Sequence, residues 1–470
     1  MGLETWMAAR FVNIDHDTPL LLPPDLRDWV PENHLVHFVM EAVELLDLKQ
    51  AQVNHRGTGD AQYPPAMMLG LLIFCYATGT FSSRKIERLT FENVAVRYLC
   101  ADTHPDHDSI CQFRRANRAL LESSFHQVLE CAARAQVFKV GDITVALDGT
   151  KIMAHASKHS AVSHGHAVEQ MQLLEAQIEE LLSKAESADS VPLQDGLTIP
   201  EEVGRRQERI AKLKEAVAVI EERARVRREE ELEAYRTKIA EREAKAKITG
   251  TKPGGREPQP PKEGPEAKDQ YNFTDPQSRV MKSGSGQHFE QSYNAQAAVE
   301  VESRLIIAKQ VSDAPNDKQQ LVPTMAAVSP VVKTISSVLV DSGYYSAASV
   351  AALEAPEGQP TGPKVYAATG RQKHGRTIGQ LEKRDDPSPP AAGAPAAEQM
   401  AHRLQTQAGR ALYALRKQTI EPVFGIIKET LGFRRFSLRG LANVNLEWTL
   451  VSLSYNVKRL YHMGANLQTA

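Results

Sequence analysis

The period of the hydrophobic positions changes several times along the chain, and each change predicts a change of element. Residues 1 to about 140 read mainly as helices. An apolar run, Ala66 to Ala77 (AMMLGLLIFCYA), opens behind Tyr63-Pro64-Pro65 and closes at Gly79, as a helix with a C-terminal glycine does. A second helix is predicted from about Ser83 to Tyr98, with Ile86, Leu89, Val94 and Val96 as its apolar positions. Ser109 followed by Gln112 fits a capping box for a third, ICQFRRANRALLESSFHQVLECAARAQVF. From Asp142 the texture becomes ITVALDGTKIMAHAS, a β-branched and apolar run ending in Asp-Gly, which predicts a buried strand and a new domain.

Between about 167 and 247 the pattern is helical and charged. Met171, Leu174, Ile178 and Leu181, then Ile210, Leu213, Val217, Ile220 and Ala224, predict two helices linked through VPLQDGLTIP as an antiparallel hairpin. The following GTKPGGREPQPPKEGPEAK, at 250–268, is rich in Gly, Pro and charge and reads as a flexible linker, so the hairpin is an insertion. HFEQSYNAQAAVEVESRLIIAKQVS then predicts a two-stranded hairpin turning near Glu302-Ser303-Arg304. The short strand Ser337 to Val340 runs into Asp341-Ser342-Gly343 and repeats the strand-then-aspartate order of VALDG. A low-complexity loop at 384–397 precedes a helical tract in which Pro422 is tolerable if a helix begins near Glu421. Leu446, Leu450, Leu453, Val457 and Leu460 form a closing core stripe. The predicted fold class is α/β, with an all-helical region at 1–140, a discontinuous α/β domain at 141–166 and 269–465, and the inserted hairpin plus linker at 167–268.

Composition refines this picture without redirecting it. At 470 residues, 42% of them hydrophobic and 24% charged, the chain suits two or three globular units. Cys75, Cys100, Cys111 and Cys131 include no Cys-x-x-Cys pair, which argues against a zinc finger or a disulfide framework. The opening MGLETWMAARFVNIDHD lacks the pattern of a secretory signal, so a cytoplasmic location with reduced thiols is expected. The apolar run at 66–77 is about half of the ~20 residues that a membrane span requires. A net charge of −2 leaves a nucleic-acid partner to be judged from local positive charge.

Local positive charge exists. Arg84, Lys85 and Arg88 lie in the second predicted helix, which a short turn joins to the first as suits a major groove, and Arg114, Arg115 and Arg118 lie near the start of the third. Plain solvated helix surface is the alternative. From His402 to Gly440 there are eight Lys or Arg (403, 410, 416, 417, 428, 434, 435, 439) against two acids, one of them Glu421. An acid among phosphate-binding cations fits a metal ligand, because a bare carboxylate repels DNA. An intrahelical salt bridge is the bland reading. Asp148 and Asp341, each at the end of a buried run, complete a set of three carboxylates that suits two Mg²⁺ ions about 4 Å apart. Taken singly, such an aspartate is more often a turn former. Asp275, Asp313 and Asp317 rank below Asp341 because their surroundings read as turns, and His155, His159, His164 and His166 carry no zinc pattern.

These residues resemble the DDE transposases of bacterial insertion sequences. The resemblance lies in VALDGTKIMAHASKH, YNAQAAVE, VLVDSGYYS, TGRQKHG, EPVFGIIKETLGFRRFSLRGL, and a tyrosine-arginine-glutamate-lysine signature approached by Tyr413, Arg416, Glu421 and Lys428. Four residues separate Arg416 from Glu421 where the signature has three, while Lys417 has the expected gap but is not arginine. The resemblance implies an RNase H-like mixed sheet flanked by helices, with Asp148, Asp341 and Glu421 catalytic and holding two Mg²⁺, or Mn²⁺ as a substitute. It implies cleavage of double-stranded DNA at terminal repeats by water, then attack of the freed 3′-hydroxyl on a target, by a homodimer assembled on DNA. Lys428 would contact a phosphate, Tyr413 with Arg416 or Lys417 the transposon end, and Arg84, Arg88, Arg114 and Arg115 the terminal repeats. A nuclease that cuts without joining, and a non-catalytic DNA-binding derivative, stay open.

Overall fold

The computed structural model describes residues 25–467 apart from 54–61, 188–197, 252–253, 255–256, 283–287, 356–360, 371–384 and 392. The VPLQDGLTIP connection and the TGRQKHG motif fall largely outside the described residues.

The N-terminal region is helical, as its pattern predicts: α1 (Leu35–Glu44), α2 (Pro65–Ala77), α3 (Ser83–Glu92), α4 (Val94–Leu99), α5 (His107–Ala116) and α6 (Arg118–Arg134). Two expected helices are each broken in two, at an asparagine. Asn93 caps α4 by accepting from the Val96 N–H at 3.0 Å. Asn117 turns its side chain to the Gln52 N–H and the Phe113 carbonyl. Both compete with the helical backbone for hydrogen bonds. The N-cap of α5 is Asp106 rather than Ser109, whose N–H it accepts at 2.6 Å.

Gly79 ends the turn after α2 at φ +85°, and a Cβ there would stand 2.7 Å from the Leu431 carbonyl oxygen. Gly79→Ala is therefore expected to destabilise the protein by about 1–3 kcal/mol, read as a lower denaturant midpoint. An unchanged midpoint would mean that the α2 turn does not press on the 431 loop.

The sheet is built on β1 (Ile143–Met153), whose Val145, Ala146 and Leu147 are all fully buried, as a central strand requires. On one side β1 pairs antiparallel with β5 (Phe289–Glu300). The other edge of β5 carries β4 (Arg279–Lys282) along its first half and β6 (Ile306–Ser312) along its second. The β5–β6 turn falls where expected, with Arg304 at φ +60°. On its other side β1 pairs parallel with β7 (Ile335–Val340), which pairs parallel with β8 (Lys364–Ala367). A central strand with an antiparallel hairpin on one side and two parallel strands on the other is the RNase H-like arrangement. Short helices α9 (Leu321–Ala326) and α10 (Ala347–Glu354) fill the connections.

After α11 (Ala396–Gln405), α12 (Gln407–Gly425) lies over β1, β5 and β7, and α13 (Leu441–His462) packs on α6, α2, α1 and β6. Glu421 is not at a helix start: α12 runs through Pro422 and on into a π turn, Ile426–Thr430. Pro422 removes an N–H that would bond to the Gln418 carbonyl, and both residues are exposed, so water replaces the bond. One cluster of buried apolar side chains extends from Val30 to Leu467 and unites the N-terminal helices with the sheet.

Between β1 and β5 the chain makes an excursion. The short strands β2 (Ala161–Ser163) and β3 (Gln270–Asn272) pair at its base, and α7 (His164–Ser187) packs against the long α8 (Ile199–Thr249). This hairpin has its own small core, including Leu174, Ile210, Leu213 and Ile220. The end of the segment read as a flexible linker is tied down, with Arg227 on Asp269 at 2.8 Å and Arg228 on Glu263. Among the described residues no helix is long and apolar enough to cross a membrane.

Candidate active site

The β1–β7 register pairs Ala146 with Leu339; carried on by two residues, it sets Asp341 beside Asp148 on the same face. Asp148 lies in mid-strand rather than at a strand end, because β1 continues along β5 as far as Met153, but β7 has stopped at Val340. The two carboxylates therefore stand where the parallel pairing ends. Asp148 Oδ1 accepts from the Gly149 N–H at 2.8 Å, and Asp341 Oδ1 from the Gly343 N–H at 2.7 Å. Burial, and the negative charge of Asp341, push the Asp148 carboxyl up to about 6 against the pull of the Gly149 N–H and Arg416.

Arg416 reaches down from α12. Its Nη1 donates to Asp148 Oδ2 at 3.3 Å and its Nη2 lies 3.9 Å from Glu421 Oε1, with the Tyr413 ring 6.0 Å away. The guanidinium is largely buried, whereas Glu421 is half exposed. Arg416, five residues before Glu421 on the same helix, thus links that glutamate to Asp148. Lys417 is exposed. Lys428, in the π turn, donates to the Lys151 carbonyl at 2.9 Å.

Two family models match the chain: a transposase domain (DUF772) over residues 24–116, and a transposase DDE domain over residues 390–461, which spans Arg416, Glu421 and Lys428. Together the two matched segments support a DDE transposase of an insertion sequence. No curated protein and no solved structure matches the transposase. Its family implies DNA binding and dependence on a divalent metal.

The donors present fit such an ion at Asp148 and Asp341. Two hard-oxygen ligands stand side by side, and Asp148 is short of positive charge even with Arg416 beside it. Glu421 is held apart by Arg416, and among the described residues no three His, Cys, Asp or Glu converge on one point.

The basic residues divide into groups. Arg84, Lys85 and Arg88 are exposed on α3, with Arg88 3.4 Å from Glu92, and Arg115 is exposed on α5. Phe81, just before α3, packs edge-on to Phe433 at 5.0 Å, so this basic face begins beside the 428–435 segment. Arg114 corrects the expectation of a surface cation. It is 4% exposed and donates to the Tyr76 hydroxyl at 2.7 Å, and its charge is balanced by the buried Glu447.

Several polar residues of the site were not singled out from the sequence. Asn294 and Gln296, alternate residues of β5, both donate to Asp317 Oδ1, at 2.6 and 2.8 Å. Gln296 also accepts from the Tyr344 hydroxyl, three residues beyond Asp341. Asp317 thus approaches Gly149, next to Asp148. The one available signal was two amides, Asn294 and Gln296, on the same face of a strand that is buried along most of its length. Asp275 and Asp313, the other rival carboxylates, are structural: Asp275 accepts from the Tyr293 hydroxyl at 2.8 Å and Asp313 pairs with Arg279 at 2.5 Å.

Proposed function

We propose that this transposase cuts DNA at the ends of its element and joins the freed 3′ ends to target DNA, with Asp148, Asp341 and Glu421 as the catalytic carboxylates. The observation that carries the reading is the pairing of Asp148 with Asp341 at the end of the parallel strands, with Arg416 spanning from Asp148 to Glu421. Asp148 and Asp341 would hold a first Mg²⁺, and Glu421 would help to hold a second, with Mn²⁺ as a substitute. When bound, the ions supply a nucleophile active at neutral pH and stabilise the leaving oxygen. Arg416 keeps Asp148 and Glu421 facing one site and limits their mutual repulsion. Tyr413 supports the Arg416 guanidinium from below, while Lys417, Lys428 and the exposed Arg84, Arg88 and Arg115 supply phosphate contacts. A homodimer assembled on DNA would bring two ends together.

The test is cleavage and joining of a labelled duplex carrying the element's own end, in Mg²⁺ or EDTA, with wild type and Glu421→Gln. Metal-dependent joining that falls at least about a hundredfold in the variant is expected. Unchanged activity would remove Glu421 from the mechanism. Cutting without joining would favour a nuclease, and DNA binding without cutting a non-catalytic derivative.

A further inference from the structure

Lys151 is the cross-strand partner of Asn294. Its ammonium is buried and makes no hydrogen bond, and its ion pair with Asp317 Oδ1 is long, at 3.7 Å. That oxygen is already occupied by the amides of Asn294 and Gln296. The bond to Asp317 also fixes the Asn294 amide, because turning it over would point its oxygen at a carboxylate. The Asn294 oxygen is consequently left fully buried without a donor. Both orphaned groups crowd the backbone beside Asp148: a Cβ on Gly149 would lie 2.7 Å from Asp317 Oδ1 and 2.9 Å from Asn294 Oδ1, and would collide with Gln296 Nε2. The Lys151 side chain keeps 21% of its surface exposed, so the ammonium has a way out.

A buried ammonium with three donors and no acceptor of its own is costly unless another state satisfies it. Lys151 lies three residues beyond Asp148, about 10 Å along the strand and on its other face, but β7 has ended at Val340, and the Lys151 ammonium, which already feels the Asp148 charge, can reach round the strand to a phosphate next to one held at the carboxylates. Lys428 donates to the carbonyl of this same lysine and brings a second ammonium to the same place.

We propose that Lys151 is a DNA-contact residue that rests on Asp317 in the free protein and turns to a backbone phosphate beside the cleavage point when DNA binds. The inference rests on the DNA-cutting reading above and adds to it a resting counter-ion, Asp317, that competes with DNA. The two partners then have opposite effects: removing Lys151 weakens DNA binding, and neutralising Asp317 strengthens it. A purely structural ion pair would weaken binding from either side.

The experiment measures binding of the full chain to a fluorescent mixed-sequence duplex, by anisotropy in EDTA, over a series of salt concentrations. Lys151→Ala is expected to weaken binding and to make the slope of log K against log salt shallower by about 0.9, the value of one phosphate contact. Lys151→Arg should keep the wild-type slope, and Asp317→Asn should bind several-fold more tightly than wild type. Where Lys151→Ala fails to fold by thermal melting, Lys151→Gln keeps the stem and should give the same shallower slope. A wild-type slope in Lys151→Ala or Lys151→Gln, or weaker binding in Asp317→Asn, overturns the proposal while the DNA-cutting reading stands. A wild-type protein with no salt-dependent binding overturns both.

Discussion

Asp148→Asn is expected to lower DNA cleavage by about a thousandfold or more while making the metal-free protein more stable. The first effect follows from the proposed role of Asp148 as a hard anionic metal ligand, worth several kcal/mol in the transition state. The second follows from the raised carboxyl of Asp148, about 6 against the usual 3.8. A carboxyl whose folded pKa lies above its unfolded value contributes stability at low pH. That contribution is lost as pH rises from about 4 through about 6. Above pH 6 the ionised, largely buried carboxylate costs about 3 kcal/mol. Asparagine removes the charge and keeps an oxygen for the Gly149 N–H, but leaves Arg416 with one partner fewer, so a net gain of about 1–2 kcal/mol is expected. Melting in EDTA at pH 8 and pH 5 checks the sign: the variant should gain at pH 8 and match wild type at pH 5. Added Mg²⁺ should raise the midpoint of wild type alone. Equal midpoints at pH 8 would mean that Asp148 carries no strained charge.

Trp448→Ala is expected to have the largest effect on stability, a loss of about 3–5 kcal/mol. Trp448 is fully buried on α13, stacks on Phe433 at 6.4 Å and donates its indole N–H to the Gln296 carbonyl at 2.9 Å. The substitution leaves a cavity between the last helix and β5 and strands that carbonyl. Denaturant unfolding should show the loss, whereas Trp448→Phe, which fills most of the space, should lose less. A midpoint shift of under 1 kcal/mol would mean that α13 is not a main support of the sheet.

What could be read in the sequence was what depends on neighbours along the chain. The β-branched runs before Asp148 and Asp341, and the Glu302-Ser303-Arg304 turn, are local patterns, and the strands and their antiparallel hairpin follow them. These strands and their hairpin were therefore legible, while the RNase H-like order of the sheet was implied by the family resemblance, and the meeting of the two aspartates follows from two strands pairing in register. Other features needed distant partners. Arg114 looks like its exposed neighbour Arg115 until Tyr76 and Glu447 arrive from other helices. Asp317 sits in a turn-like SDAPND sequence, and only the return of that loop over β5 brings it to Gly149. The breaks at Asn93 and Asn117 were hidden because the apolar period continues across both, although the backbone does not. Pro422 argued for a helix start, yet exposure to water lets α12 carry it inside.

The excursion between β1 and β5 leaves and returns on adjacent strands: Val162 stands opposite Tyr271, and the Gly165 N–H donates to the Ala267 carbonyl at 3.1 Å. The described part of the arm, with α7 and α8, thus hangs from a closed doorway, and its length is not felt by the sheet behind it. Such a doorway makes the arm a replaceable cassette. A reporter protein whose own termini lie close together could be spliced in at the far end of the arm, allowing the assembly to be tracked on DNA while the carboxylates keep their places.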